Sequence, residues 1–90
     1  MDKSLISLLK NLGERAIKSE FQCRVTIEDQ GIRINMWTRQ GDMYADRNYI
    51  IGWTELEHFD AHHVSTTFEM LNRYIKRRLV DKIQEKFSGN

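Results

Sequence analysis

The run Phe21-Gln22-Cys23-Arg24-Val25-Thr26-Ile27-Glu28, followed after Asp29-Gln30-Gly31 by Ile32-Arg33-Ile34-Asn35-Met36-Trp37-Thr38-Arg39, alternates apolar and polar residues almost without error. Successive side chains of an extended strand point to opposite faces, so Phe21, Cys23, Val25 and Ile27 share one side and Gln22, Arg24, Thr26 and Glu28 the other. Ile32, Ile34 and Met36 repeat the pattern against Arg33, Asn35, Trp37 and Arg39. A hairpin with one buried and one wet face follows. Pairing Ile27 with Ile32 sets Val25 opposite Ile34 and Cys23 opposite Met36, across a loop of two residues (Asp29-Gln30) or four (Glu28 to Gly31). Odd loops would set apolar residues opposite polar ones. Val25 and Ile34 are therefore expected among the most buried residues.

A second turn signal, Arg39-Gln40-Gly41-Asp42, introduces a third strand from about Met43 to Gly52. A two-residue loop there pairs Met36 with Ala45 on the inner face and Trp37 with Tyr44 on the outer face. It also turns Arg47 inward opposite Ile34, the mark of a bulge or an edge strand.

Two segments around this meander repeat every three to four residues instead. Residues 5 to 19 carry Leu5, Leu8, Leu9, Leu12 and Ala16 on one stripe, with Ser4 as a candidate cap. Gly13 interrupts them; a helical glycine costs about 1 kcal/mol relative to alanine, so the helix is expected to bend or end there, or to be approached by another backbone. Thr54-Glu55-Leu56-Glu57 has the capping-box spacing and predicts a helix start or a short helical turn. The main C-terminal helix is expected from about His63 to Lys86, with Val64, Phe68, Leu71, Ile75, Leu79, Ile83 and Phe87 along one face and Ser88-Gly89-Asn90 as a frayed end. The fold class is α+β. One domain spanning 1–90 has an N-terminal helix, a three-stranded antiparallel meander, and a C-terminal helix packed on one sheet face. The other face is at least partly free.

Lys and Arg number 14 against 13 Asp and Glu, a net charge of +1, so no overall field draws the chain onto nucleic acid or an anionic membrane. No stretch approaches the ~20 apolar residues of a membrane span, and the opening Met1-Asp2-Lys3-Ser4-Leu5-Ile6 lacks a secretory signal. A cytoplasmic protein without membrane contact is expected. Cys23, the single cysteine, excludes an internal disulfide and reads as a buried thiol in a reducing compartment.

Candidate sites follow from residue chemistry. His58, His62 and His63 lie within six residues beside Glu55 and Glu57; on a continuous helix His58 and His62 would stand one turn apart, as metal ligands do. The order lacks the His-Glu-x-x-His arrangement and no distant ligand completes a tetrahedral set, so a solvated helix entry is the expectation, with no metal or cofactor. No glycine elbow, phosphate loop or Ser-x-x-Lys pattern frames Cys23, Ser65, Thr66 or Thr67, so no catalytic residue is assigned and an enzyme is not expected. The last helix is basic, and Arg73 and Arg77, opposite Leu71 and Ile75, form a possible secondary patch.

The outer sheet face is the expected binding surface. It carries Trp37, Tyr44, Arg24, Arg33 and Arg39, the residue types that dominate interface energies because they bury large area with few rotatable bonds and keep polar handles. No family motif is present. The element order of helix, meander and helix resembles that of small phage- or mobile-element-encoded accessory proteins, including some anti-CRISPR inhibitors, a resemblance that spans the chain but transfers no residue. The expected function is a small, non-enzymatic, cytoplasmic protein-binding module that occupies a partner protein's surface, as an inhibitor does. The alternative is a nucleic-acid-binding module that stacks bases on the sheet aromatics and holds phosphates with arginines. A homodimer is compatible with either.

Overall fold

A computed structural model describes residues 3–88. Three helices and three strands follow in the order α1 (Lys3–Ile17), β1 (Gln22–Glu28), β2 (Gly31–Gln40), β3 (Met43–Gly52), α2 (Trp53–Leu56) and α3 (Ala61–Ser88). The strands form one antiparallel sheet with β2 in the middle. Helices α1 and α3 pack against the same face, α1 over β1 and α3 chiefly over β3. Among the described residues no helix lies on the other face.

The β1–β2 hairpin has the expected register: Val25 pairs with Ile34, Cys23 with Met36 and Ile27 with Ile32, across the loop Asp29-Gln30. Gly31 starts β2 with φ 151°, open only to glycine, and a Cβ there would lie 2.0 Å from the Ile51 carbonyl oxygen. The second hairpin departs from expectation. Thr38, not Met36, pairs with Ala45; Trp37 pairs with Asp46, and Arg39 with Tyr44. The loop is Gly41-Asp42, one residue later than expected, because Gly41 with φ 63° occupies the first central position, where tight hairpin turns require positive φ. That slip moves the pairing by two residues and leaves every side chain on its expected face. Arg47 is on the inner face as predicted, opposite Met36, but on the edge strand, where it remains exposed.

Ile32, Ile34, Met36 and Ile51 are fully buried from the sheet, with Leu12 from α1 and Phe68, Leu71 and Ile75 from α3. Burying each such side chain contributes about 1.5–3 kcal/mol. Val25 corrects the reading: it is only half-buried, as are Cys23 and Phe21, and Ile27 is 58% exposed. Alternation reports which face a residue takes, not how well that face is covered, and β1 is an edge strand roofed by one short helix.

Helix α1 runs through Gly13 to Ile17, and among the described residues no atom beyond the surrounding turns of α1 lies within 4 Å of a Cβ placed on that glycine, so no other described backbone passes close. Its start at Lys3 puts Ser4 inside the helix, and the side chain expected to cap it lies outside the described ones. The Thr54 capping box does not form: Thr54 is within α2, whose N-cap is Gly52 with no side-chain cap bond. Trp53 instead ties the start of α2 to the first hairpin, its ring Nε1–H donating to the Asp29 carbonyl at 2.6 Å.

The working cap belongs to α3. The Asp60 Oδ1 accepts from the His63 backbone N–H at 3.0 Å, and Val64 N–H bonds the Asp60 carbonyl at 3.0 Å. His63 Nδ1 lies 2.7 Å from the same Asp60 Oδ1, so a proton on that ring nitrogen donates a second bond to the capping carboxylate. The bond from the His63 backbone holds the Asp60 carboxyl below its usual range. Val64, Phe68, Leu71, Ile75 and Leu79 are buried as expected, whereas Ile83 is half-buried and Phe87 is 82% exposed. The 28 residues of α3 span about 42 Å, more than the roughly 34 Å of a ten-residue strand, so its last turns outrun the sheet. Of the predicted frayed end, Ser88 closes the helix and Gly89-Asn90 lie outside the described residues.

Candidate partner-binding surface

The uncovered sheet face is built by parity. Gln22, Arg24, Thr26 and Glu28 of β1, Arg33, Asn35, Trp37 and Arg39 of β2, and Tyr44, Asp46, Asn48 and Ile50 of β3 all point to it. Trp37, on the central strand, is half-buried between Gln22 and Asp46 on its two neighbours. The Arg24 guanidinium carbon lies 5.8 Å from the Trp37 ring centroid. A second cation sits on a second ring: Arg39, paired with Tyr44, lies 5.3 Å from its centroid. Both distances are within the range where the ring quadrupole attracts a cation, and each contact fixes a long side chain against a rigid one.

Arg33 takes a different role. Its Nε donates to Glu28 Oε1 at 2.6 Å, a bond that holds the Glu28 carboxyl below its usual range and Arg33 further protonated. The five residues expected at this surface thus form three groups on one face: Arg24 with Trp37, Arg39 with Tyr44, and Arg33 with Glu28. Trp37 and Tyr44 are not directly paired, since Tyr44 stands one diagonal step from the tryptophan. Asp46 takes that place, and sequence reasoning passed over it because its position depended on the second turn. Asn35, between Arg24 and Asn48, was missed too; its Oδ1 is buried with no hydrogen-bond partner among the described residues.

Arg73 and Arg77 lie on α3, on the opposite layer of the molecule. Both are exposed and, with Thr66, Glu69, Met70 and Tyr74, line a hollow of about 320 Å³. Arg47 lies 4.5 Å from the Tyr74 ring centroid, an aromatic partner the basic pattern did not reveal. The histidines do not share a helix: His58 lies in the turn after α2, whereas His62 and His63 open α3. Among the described residues no three His, Cys, Asp or Glu side chains converge as a metal site would need. Burial pushes the Cys23 thiol up to about 11, which keeps it protonated at neutral pH.

No helix among the described residues is long and apolar enough to cross a membrane. Compared with known protein families, curated proteins and solved structures, the chain has no significant match.

Proposed function

We propose that this chain is a small, non-enzymatic protein-binding module that docks its open sheet face on a partner protein, with Trp37 as the anchor. The observation that carries the reading is the packing of α1 and α3 on one sheet face while the other, centred on Trp37 held between Arg24, Gln22 and Asp46, is covered by no element among the described residues. A rigid aromatic ringed by mixed charge is what a protein partner's pocket and polar rim require. Base stacking fits less well. Arg24 and Arg39 already lie near the rings on which bases would stack, and Glu28 and Asp46 place negative charge where phosphates would pass. Blocking a partner's surface is the action of a small inhibitor, and that form of the proposal rests only on the analogy in element order to small phage-encoded inhibitors.

The test is capture of the partner by the immobilised chain, compared with Trp37→Ala. Removing the anchor should leave the fold intact and weaken binding by about 2 kcal/mol or more. Tyr44→Ala and Arg24→Ala should weaken it less, and the pair Arg73→Ala with Arg77→Ala scarcely. Normal binding by Trp37→Ala, with the helix pair abolishing it and affinity falling steeply as salt rises, would move the site to α3 and favour an acidic or nucleic-acid partner.

A further inference from the structure

The two edges of the sheet are treated differently. β3 is blunted: inward-pointing Arg47 turns over the edge onto Tyr74, Lys82 Nζ donates to the Tyr44 carbonyl, and Lys86 reaches Asp42 at 3.2 Å. Inward charges and lysines along an edge are how sheets refuse a further strand. β1 has no such guard. Its inward positions are all apolar, it contains no proline, and among the described residues no side chain bonds its backbone. The residues flanking a two-residue hairpin loop are a hydrogen-bonded pair, so Glu28, Thr26 and Arg24 spend their backbone groups on β2 while Ile27, Val25 and Cys23 turn theirs to the free edge. The same alternation places the Tyr44 carbonyl on the free edge of β3, where Lys82 meets it.

Helix α1 continues the contrast. Asn11, Glu14, Arg15 and Lys18 line a hollow with Ala61 and Val64, so that flank faces α3. At 3.6 residues per turn, Ile6, Gly13 and Ile17 fall on the other side of the buried stripe, away from α3. Ile6 is 52% and Ile17 86% exposed, and nothing among the described residues uses the space at Gly13. A glycine there costs helix stability that a second helix, approaching where a side chain is missing, would offset.

We propose that β1 and this outer flank of α1 form a self-association surface, on which a second copy of the chain adds its β1 antiparallel about a two-fold axis at Thr26. The sequence of β1 is self-complementary in that register. Arg24 faces Glu28 of the second copy, Val25 faces its Ile27, and Thr26 faces its own counterpart; the two-fold repeats each contact. The exposed Ile27 is then covered, and the two sheets join into one of six strands. This inference stands whether or not Trp37 anchors a partner, because the free backbone edge of β1 and the outer flank of α1 carry it; Arg24 alone is shared with the proposed partner surface.

Sedimentation equilibrium should give twice the 10.8 kDa chain mass. Ile27→Lys, which places a guard lysine at an already exposed inward position, should weaken self-association by at least about 10-fold while leaving the circular dichroism spectrum unchanged. Thr26→Cys in a Cys23→Ser background should form a covalent dimer on mild oxidation, since residues facing across a non-hydrogen-bonded pair have Cα atoms about 4.5 Å apart, within disulfide reach. Asn48→Cys in the same background, on the guarded strand, should not. A monomer at the highest soluble concentration, or a dimer that neither Ile27→Lys disrupts nor Thr26→Cys cross-links, would overturn the proposal.

Discussion

Gly31→Ala is expected to be among the most damaging small substitutions in this chain. Gly31 is buried with φ 151°, and its added Cβ would lie 2.0 Å from the Ile51 carbonyl oxygen and 2.9 Å from both the Ile51 carbonyl carbon and Gly52 Cα. Relaxed contacts between heavy atoms sit near 3.5–4.0 Å. The obstacle is backbone, held by the ladder that pairs Gly31 with Gly52 and Ile32 with Ile51, so no side-chain rotation relieves it. Forcing an L-residue into this conformation costs about 1–3 kcal/mol. Prising β2 from β3 at this end of their ladder, the one away from the Gly41-Asp42 turn, adds about 1–3 kcal/mol for a buried backbone group left unpaired. A reduced entropy of the unfolded chain accounts for a further loss of about 0.4–1 kcal/mol of its free-energy advantage, which partly offsets these costs. The net loss of about 3–4 kcal/mol compares with a total stability of about 5–13 kcal/mol for a chain of this size. At a urea slope of about 1.5 kcal/mol per molar, the unfolding midpoint should fall by roughly 2–3 M. Gly41→Ala provides the comparison: its φ of 63° is also unfavourable, but nothing lies within 4 Å, so the strain alone should cost about 1–2 kcal/mol. Equal midpoints for the two variants, or a Gly31→Ala midpoint within about 0.5 M of wild type, would refute the close approach of β2 and β3 at this position.

Burial separates two residues that face each other across the first hairpin: Ile34→Ala should cost about 3–4 kcal/mol in urea unfolding and Val25→Ala clearly less, because only Ile34 is fully enclosed. Asp60→Asn should lower the melting temperature near neutral pH by removing the carboxylate charge at the N-terminus of α3, while the capping oxygen itself is kept. The native Asp60 carboxyl is held below its unfolded value, so its contribution is present above about pH 4 and is lost as pH falls through the depressed native value; the two melting curves should converge there. Cys23, with its thiol pushed up to about 11 from 9.0, should be alkylated about 100-fold more slowly at pH 7 than in the urea-unfolded chain.

The first hairpin was legible because two apolar runs of matching period meet across a turn that allows only even loops, and Gly31 closes it. The second was legible in face but not in register. Moving a turn by one residue changes the pairing sum by two, so the apolar pattern fits Met36 opposite Ala45 as well as Thr38 opposite Ala45; only the φ of Gly41 separates them. Depth was harder still. Val25 and Ile34 have the same period, yet one lies on an edge and the other on the central strand between two neighbours. The cap of α3 escaped for a different reason: Thr54 and Glu57 match the familiar spacing, whereas Asp60 caps the helix by accepting from the His63 backbone N–H and meets the His63 imidazole at 2.7 Å, a pairing outside that pattern.

That two-residue slip also bears on how the proposed surface would distribute its binding energy. In the expected register Trp37 and Tyr44 would pack side by side as one aromatic pair, and removing either would expose the other. With Asp46 opposite Trp37, the aromatic rings belong to separate cation-bearing units, Arg24 with Trp37 and Arg39 with Tyr44. The central strand then presents a single large ring with a carboxylate on one side and a carboxamide on the other, while Tyr44 stands on the edge strand at 37% exposure. Energy at interfaces concentrates in central, rigid side chains surrounded by groups that exclude water. The observed register therefore assigns the larger loss to Trp37→Ala and the smaller to Tyr44→Ala. The two losses should be close to additive in the double variant, because neither ring supports the other.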